Sequence, residues 1–133
     1  MDSTTQKTHE LASEKLIGSV VSIGTDTATV KLTITQEMIV DSYHLSHGSF
    51  VFGLADYAAM LAVNEPTVVL GKATSKFLKP VVLHDEVTAV ATIIDNSNGK
   101  KVTVSVGVEN QNKEQVFEGE FVCFVLEKHI LAK

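Results

Sequence analysis

The chain has 133 residues, which the length prior reads as one domain large enough for a real core, and its 44% hydrophobic and 20% charged residues are those of an ordinary soluble globular protein. A formal net charge of -5 with no offsetting basic cluster argues against a nucleic-acid-binding surface. The single cysteine, Cys123, excludes an internal disulfide and a cysteine-pair zinc site, and its place in the apolar stretch Phe121 to Leu126 makes it a buried small hydrophobe.

The first ten residues are polar and lack the apolar stretch of a signal peptide, and no apolar run is long enough to cross a bilayer. The expected location is therefore the cytoplasm, with no membrane partner. Residues from about Thr5 to Leu16 read as a short N-terminal helix with Leu11 and Leu16 as weak anchors and Gly18 as its stop. This divides the chain into an N-terminal helical segment, 1–17, and a main domain, 18–133. Ser19 to Ile23, a turn at Gly24 to Asp26, and Ala28, Val30, Leu32 and Ile34 at period two predict a hairpin of half-buried strands.

The run Gly48 to Val63 predicts one helix, apolar on nearly every face, stopped by Asn64 and Pro66. Strands follow over Thr67 to Phe77 (broken at Gly71), Glu86 to Ile94, Val102 to Val108 and Val116 to Leu126, with turns at Asn96 to Gly99 and Asn110 to Glu114. Two strands, one helix and four strands imply an α+β fold in which a six-stranded antiparallel sheet wraps around one long central helix. One sheet covers only one side of that helix and leaves edges exposed, so at least a dimer is expected.

Asp56 is the only charged residue of the helix. A carboxylate is rarely kept in a core without a partner or a task. The polar segment Asp41 to Gly48 lies just upstream, so one acid projects from a buried helix whose N-terminus opens with His47-Gly48. Such an arrangement can polarise a carbonyl and activate a nucleophile. Asp41, His44 and His47 have no standard metal-ligand spacing, and no metal site is expected.

The element order, with the run His47-Gly48-Ser49-Phe50-Val51-Phe52-Gly53-Leu54-Ala55-Asp56 and the segment Phe77-Leu78-Lys79-Pro80 followed by Asp85, resembles the hotdog fold. Within it the likeness is to acyl-CoA thioesterases of the phenylacetate-pathway type, over roughly Gly18 to Leu126. The sequence departs from that pattern at Ser49, where a second glycine is usual, at Asp41, where asparagine is usual, and at His84, which replaces a glycine. A second carboxylate at Asp41 could raise the pKa of Asp56 or alter the substrate range.

The resemblance implies that the chain hydrolyses an acyl-CoA thioester to acid and CoA, with no cofactor, as a homodimer or dimer of dimers. The N–H of Gly48, with Ser49, would stabilise the oxyanion at the helix N-terminus. Asp56 would act as general base toward water or as nucleophile. His47 would shape the loop and stand near the substrate, as would Asp41. Lys76 and Lys79, with Lys72, would meet the CoA phosphates, and Phe50, Leu54 and Tyr57 would line the acyl chain. A second reading is a non-catalytic acyl-CoA sensor, since Leu11 through Ile39 resembles the hotdog effector domain of bacterial fatty-acid-synthesis repressors. Those domains carry a non-acidic residue at the place of Asp56 and follow a helix-turn-helix, for which some 17 residues leave no room. A third is an acyl-thioester dehydratase pairing His44 or His47 with Asp56, although the proline-glycine pair of those enzymes is missing.

Overall fold

Alternation of apolar and polar residues folds six segments into one antiparallel sheet. The computed structural model describes residues 4–133. The strands are β1 (Ser19–Gly24), β2 (Thr27–Thr33), β3 (Val68–Phe77), β4 (Glu86–Asp95), β5 (Lys101–Glu109) and β6 (Gln115–Val125), and the helix is α1 (Gly48–Val63). The spatial order is β1-β2-β4-β5-β6-β3. β3 therefore lies at the edge opposite β1, paired only with β6, and β4 joins β2 instead of its neighbour in sequence. The break expected at Gly71 is a register shift between Leu70 and Lys72, which bends the edge strand.

One sheet face is the core. Val30 and Leu32 of β2, Val87 and Ala89 of β4, Val102 to Val108 at period two on β5, and Phe117 and Phe121 of β6 are all buried. They meet Leu54, Ala55, Ala58, Ala59, Met60 and Leu61 of α1. The helix touches all six strands, most extensively β4 and β2. Its alanines let the backbone lie close to the sheet, and each fully buried Leu or Phe contributes about 1.5–3 kcal/mol. Cys123 is buried in this core, as its apolar context predicts.

The helix ends are capped from both sides. His47 Nδ1 accepts the Ser49 N–H at 3.0 Å. Asn64 closes the other end in the left-handed conformation (φ 52), its own N–H donating to Met60 O. The loop ahead of α1 is stitched to the segment after β3 by Leu45 bridging Val82 and by Ser46 N–H donating to Val81 O. Asp85 locks that segment, accepting from Val82 N–H and from Gln111 Nε2, both at 2.9 Å. No helix among the described residues is long and apolar enough to cross a membrane.

The expected N-terminal helix does not form. Residues 4–17 are extended or in turns, with single helical turns only where Ile17 N–H meets Ser13 O and Gly18 N–H meets Glu14 O. Leu11, one of its two intended anchors, is 100% exposed, and only Ala12, Leu16 and Ile17 at the segment's end pack against the core, too short an apolar stretch to offset the cost of helix nucleation. The backbone finds partners elsewhere: Thr4 N–H donates to Ile23 O, and Lys7 N–H donates to the Asn64 side chain.

Candidate active site

Asp56 sits in the middle of α1, one turn before Met60, and both line a cavity of about 780 Å³. The cavity's other walls are Lys7 to Leu11, Pro66 to Leu70, and His129 with Ile130. The Asp56 side chain is largely buried, and its Oδ1 has no hydrogen-bond partner. Burial alone raises its pKa from 3.8 to about 6. A carboxylate oxygen buried without a donor is destabilised in its charged form, which makes the group a stronger base than a solvated aspartate. Its charge also reaches Cys123, whose thiol is pushed up to about 12, first by burial and then by Asp56.

Asp41 is not the cause of that shift. It is exposed, and its Oδ1 accepts from the Tyr43 and Leu45 N–H groups at 2.9 and 3.1 Å. It shapes the loop that leads into α1, together with His44, which turns the chain at φ 66. The influence expected from a second carboxylate is exerted instead by the desolvating cavity wall.

Gly48, first residue of α1, presents an N–H that has no partner within the helix. The Ser49 N–H is taken by His47 Nδ1, which also lies 2.8 Å from Ser49 Oγ. Of the two backbone donors expected here, the Gly48 N–H is thus the one not taken by the His47 ring. Gly48 lines a separate cavity of about 260 Å³ with Leu45, Ser46, Val51, Val116 and Phe77 to Val81. A Cβ on Gly48 would stand 3.2 Å from Phe77 Cε1, so the backbone is approached closely there. Lys79 lines the same cavity, its Nζ 2.9 Å from Glu114 Oε2. Glu114 is held below its ordinary range by the Asn110 amide and then by Lys79.

Gly48 and Asp56 line different cavities of the described chain. Eight residues of helix separate them, a rise of about 12 Å. Phe50 is half-buried against the core. Leu54 is fully enclosed, and Tyr57 is buried with its hydroxyl accepting from Gln6 Nε2 at 3.1 Å. Lys72 and Lys76 are exposed on β3, and Lys76 lies beside Glu118 and Glu120. Sequence reasoning missed the N-terminal contribution. His9, at φ 55, is bonded to Thr8 Oγ1 through Nδ1 at 2.8 Å, stands 6.5 Å from the Tyr57 ring, and lines the Asp56 cavity. Burial lowers its pKa. A polar segment without periodicity offers no signal of such a contact.

No protein-family model matches the chain. Among curated proteins, methylthioribose-1-phosphate isomerase of Aquifex aeolicus (strain VF5) is 41% identical over 120 residues, 90% of this chain and 26% of that protein. Transcription factor FapR of Caldanaerobacter subterraneus subsp. tengcongensis is 29% identical over 99 residues, 74% of this chain and 48% of that protein. The chain thus spans between about a quarter and a half of these curated relatives. Among solved structures, protein PH1136 of Pyrococcus horikoshii has a TM-score of 0.96 and 52% identity, covering 99% of this chain and 100% of that one. Two others share the fold at lower identity. The E. coli PaaI protein from the phenylacetic acid degradation operon has a TM-score of 0.78 at 24%, over 86% of this chain and 83% of that one. Smu.793 of Streptococcus mutans UA159, bound to acetyl CoA, has 0.79 at 23%, over 91% and 97%. By identity along the whole of both chains, the protein belongs to the family of the Pyrococcus horikoshii protein, and its fold is the hotdog fold.

Proposed function

We propose that the protein is an acyl-CoA thioesterase and that Asp56 is its base. The observation that carries this reading is the orphaned, desolvated carboxylate of Asp56 in a cavity large enough for an acyl group. The acetyl CoA bound by the Streptococcus mutans protein of the same fold supports CoA as the carrier.

In the reaction Asp56 takes a proton from water as the water oxygen bonds to the thioester carbon. The carbonyl oxygen becomes an oxyanion, and a backbone N–H such as that of Gly48 stabilises it, a donor whose loss typically costs about 3 kcal/mol in the barrier. The C–S bond then breaks, the thiolate recovers the proton from Asp56, and free acid and CoA leave. Direct attack by Asp56, giving a mixed anhydride that water cleaves, uses the same residues. Because Gly48 and Asp56 open into different cavities of one chain, both reach one carbonyl only if Gly48 of one copy stands beside Asp56 of another. The functional unit is accordingly a homodimer or a dimer of dimers. Lys79, at the Gly48 cavity, exchanges Glu114 for a CoA phosphate.

The test is free-thiol release from acyl-CoAs of short to long chain, including an arylacetyl ester. Asp56→Ala should lose at least about 100-fold, the lower bound for a general base. Turnover within about threefold of the parent would remove Asp56 from the mechanism. The likeness to FapR favours one other reading, a non-catalytic acyl-CoA-binding protein. Thermal stabilisation by acyl-CoA without thiol release from any ester would establish it.

A further inference from the structure

Residues 4–11 form a strap held at several points. Gln6 Nε2 donates to the Tyr57 hydroxyl at 3.1 Å. Lys7 N–H donates to Asn64 Oδ1 at 2.8 Å, and Asn64 Nδ2 donates to Thr5 O at 3.0 Å. Both ends of one amide side chain thus bond the strap's backbone. Asn64 is only 8% exposed and occupies the left-handed position that ends α1. Ending the helix needs a residue that tolerates that conformation, which glycine does best. The reciprocal bonds to Thr5 and Lys7 are a separate task that only an amide side chain performs. Directly after this clamp the strap buries Thr8, and Lys7 to Leu11 wall the Asp56 cavity.

We propose that Asn64 is a positioning residue that clamps the N-terminal strap over Asp56, so that the strap keeps water from the carboxylate and limits the size of the acyl group the cavity takes. The acyl-size part rests on the thioesterase reading; the clamp and its effect on Asp56 do not. The ionisable groups around Asp56 are Lys7, His9 and Glu10 of the strap, His129 of the C-terminal segment and Cys123 of β6. None of them hydrogen-bonds Asp56 Oδ1. What raises the Asp56 pKa is burial, and the strap supplies part of that burial.

Asn64→Gly tests this in the full chain. Glycine keeps the left-handed helix end and removes both bonds to the strap. Amide exchange at Lys7 should quicken at least about tenfold, reporting release of the strap. The Asp56 carboxyl carbon, followed by NMR, should titrate below its parent midpoint of about 6, toward the ordinary value. The ratio of kcat/KM for palmitoyl-CoA over acetyl-CoA should rise at least about threefold. Lys7→Pro removes the same donor from the strap side without touching the helix, and should move the Asp56 midpoint and the ratio in the same directions. An unmoved Asp56 midpoint in both variants, or an unmoved Lys7 exchange rate in Asn64→Gly, overturns the clamp. A midpoint that falls while the ratio stays fixed overturns the size limit. A parent that hydrolyses no ester overturns the thioesterase reading and the size limit together, while exchange and NMR still decide the clamp.

Discussion

At the scale of single residues the molecule is organised around the cost of burying Asp56. Its carboxyl binds a proton more tightly folded than unfolded, because its pKa rises from 3.8 to about 6. Between about pH 4 and 6 its contribution to stability therefore falls as pH rises, and above that range the full cost, roughly 3 kcal/mol, is present. Asp56→Asn removes the titration. Urea unfolding at pH 8 and pH 4 should show the variant gaining on the parent at the higher pH by up to that amount, and an equal difference at both would contradict the burial argument. Cys123 makes the opposite prediction about reactivity. With a thiol pKa near 12 and no exposure it carries almost no thiolate, so an alkylating reagent should label it only on unfolding. Asp56 and Cys123 were both legible in the sequence, because a lone charge on an apolar helix and a lone cysteine in an apolar strand each have few explanations. Asn64 was legible only as a helix stop. Its clamp on Thr5 and Lys7 joins residues almost sixty positions apart, and no local pattern encodes it.

At the scale of elements, apolar patterning between turn signals found every strand and the all-apolar run found the helix, with bounds displaced by at most one residue. The N-terminal segment is the exception. Two leucines among polar residues suggested a helix, but only Leu16 packs against the core while Leu11 is exposed, and long-range hydrogen bonds take the backbone instead. Just before β1, Gly18 adopts φ +127, and a Cβ there would lie 2.8 Å from Val30 Cγ1 and 2.9 Å from Leu54 Cδ1. Gly18→Ala combines backbone strain with overpacking of the sheet against α1. It should destabilise the fold by about 2–4 kcal/mol, read as a lower urea midpoint at unchanged m-value. A variant as stable as the parent would show that β1 can shift away from the helix without loss.

At the scale of the whole molecule, topology decides what one chain can do alone. Strand order was not legible in the sequence: β3 and β4 are neighbours in the chain but lie apart in the sheet, a choice made by the crossover and by no local signal. That crossover leaves β3 as an open edge. The Gly48 cavity lies at the Phe77 end of β3 and the Asp56 cavity at its Val68 end. A chain of 14.4 kDa should therefore sediment at twice that mass or more, and a monomer that still turns over would contradict the need for two copies. The most direct test of the central claim is the pH dependence of free-thiol release by the parent and by Asp56→Asn, measured side by side on the best ester. With Asp56 as the base, the parent rate rises through about pH 6 to a plateau, and the variant is at least about 100-fold lower and without that rise. A variant that keeps both the rate and the rise would mean that Asp56 is not the base.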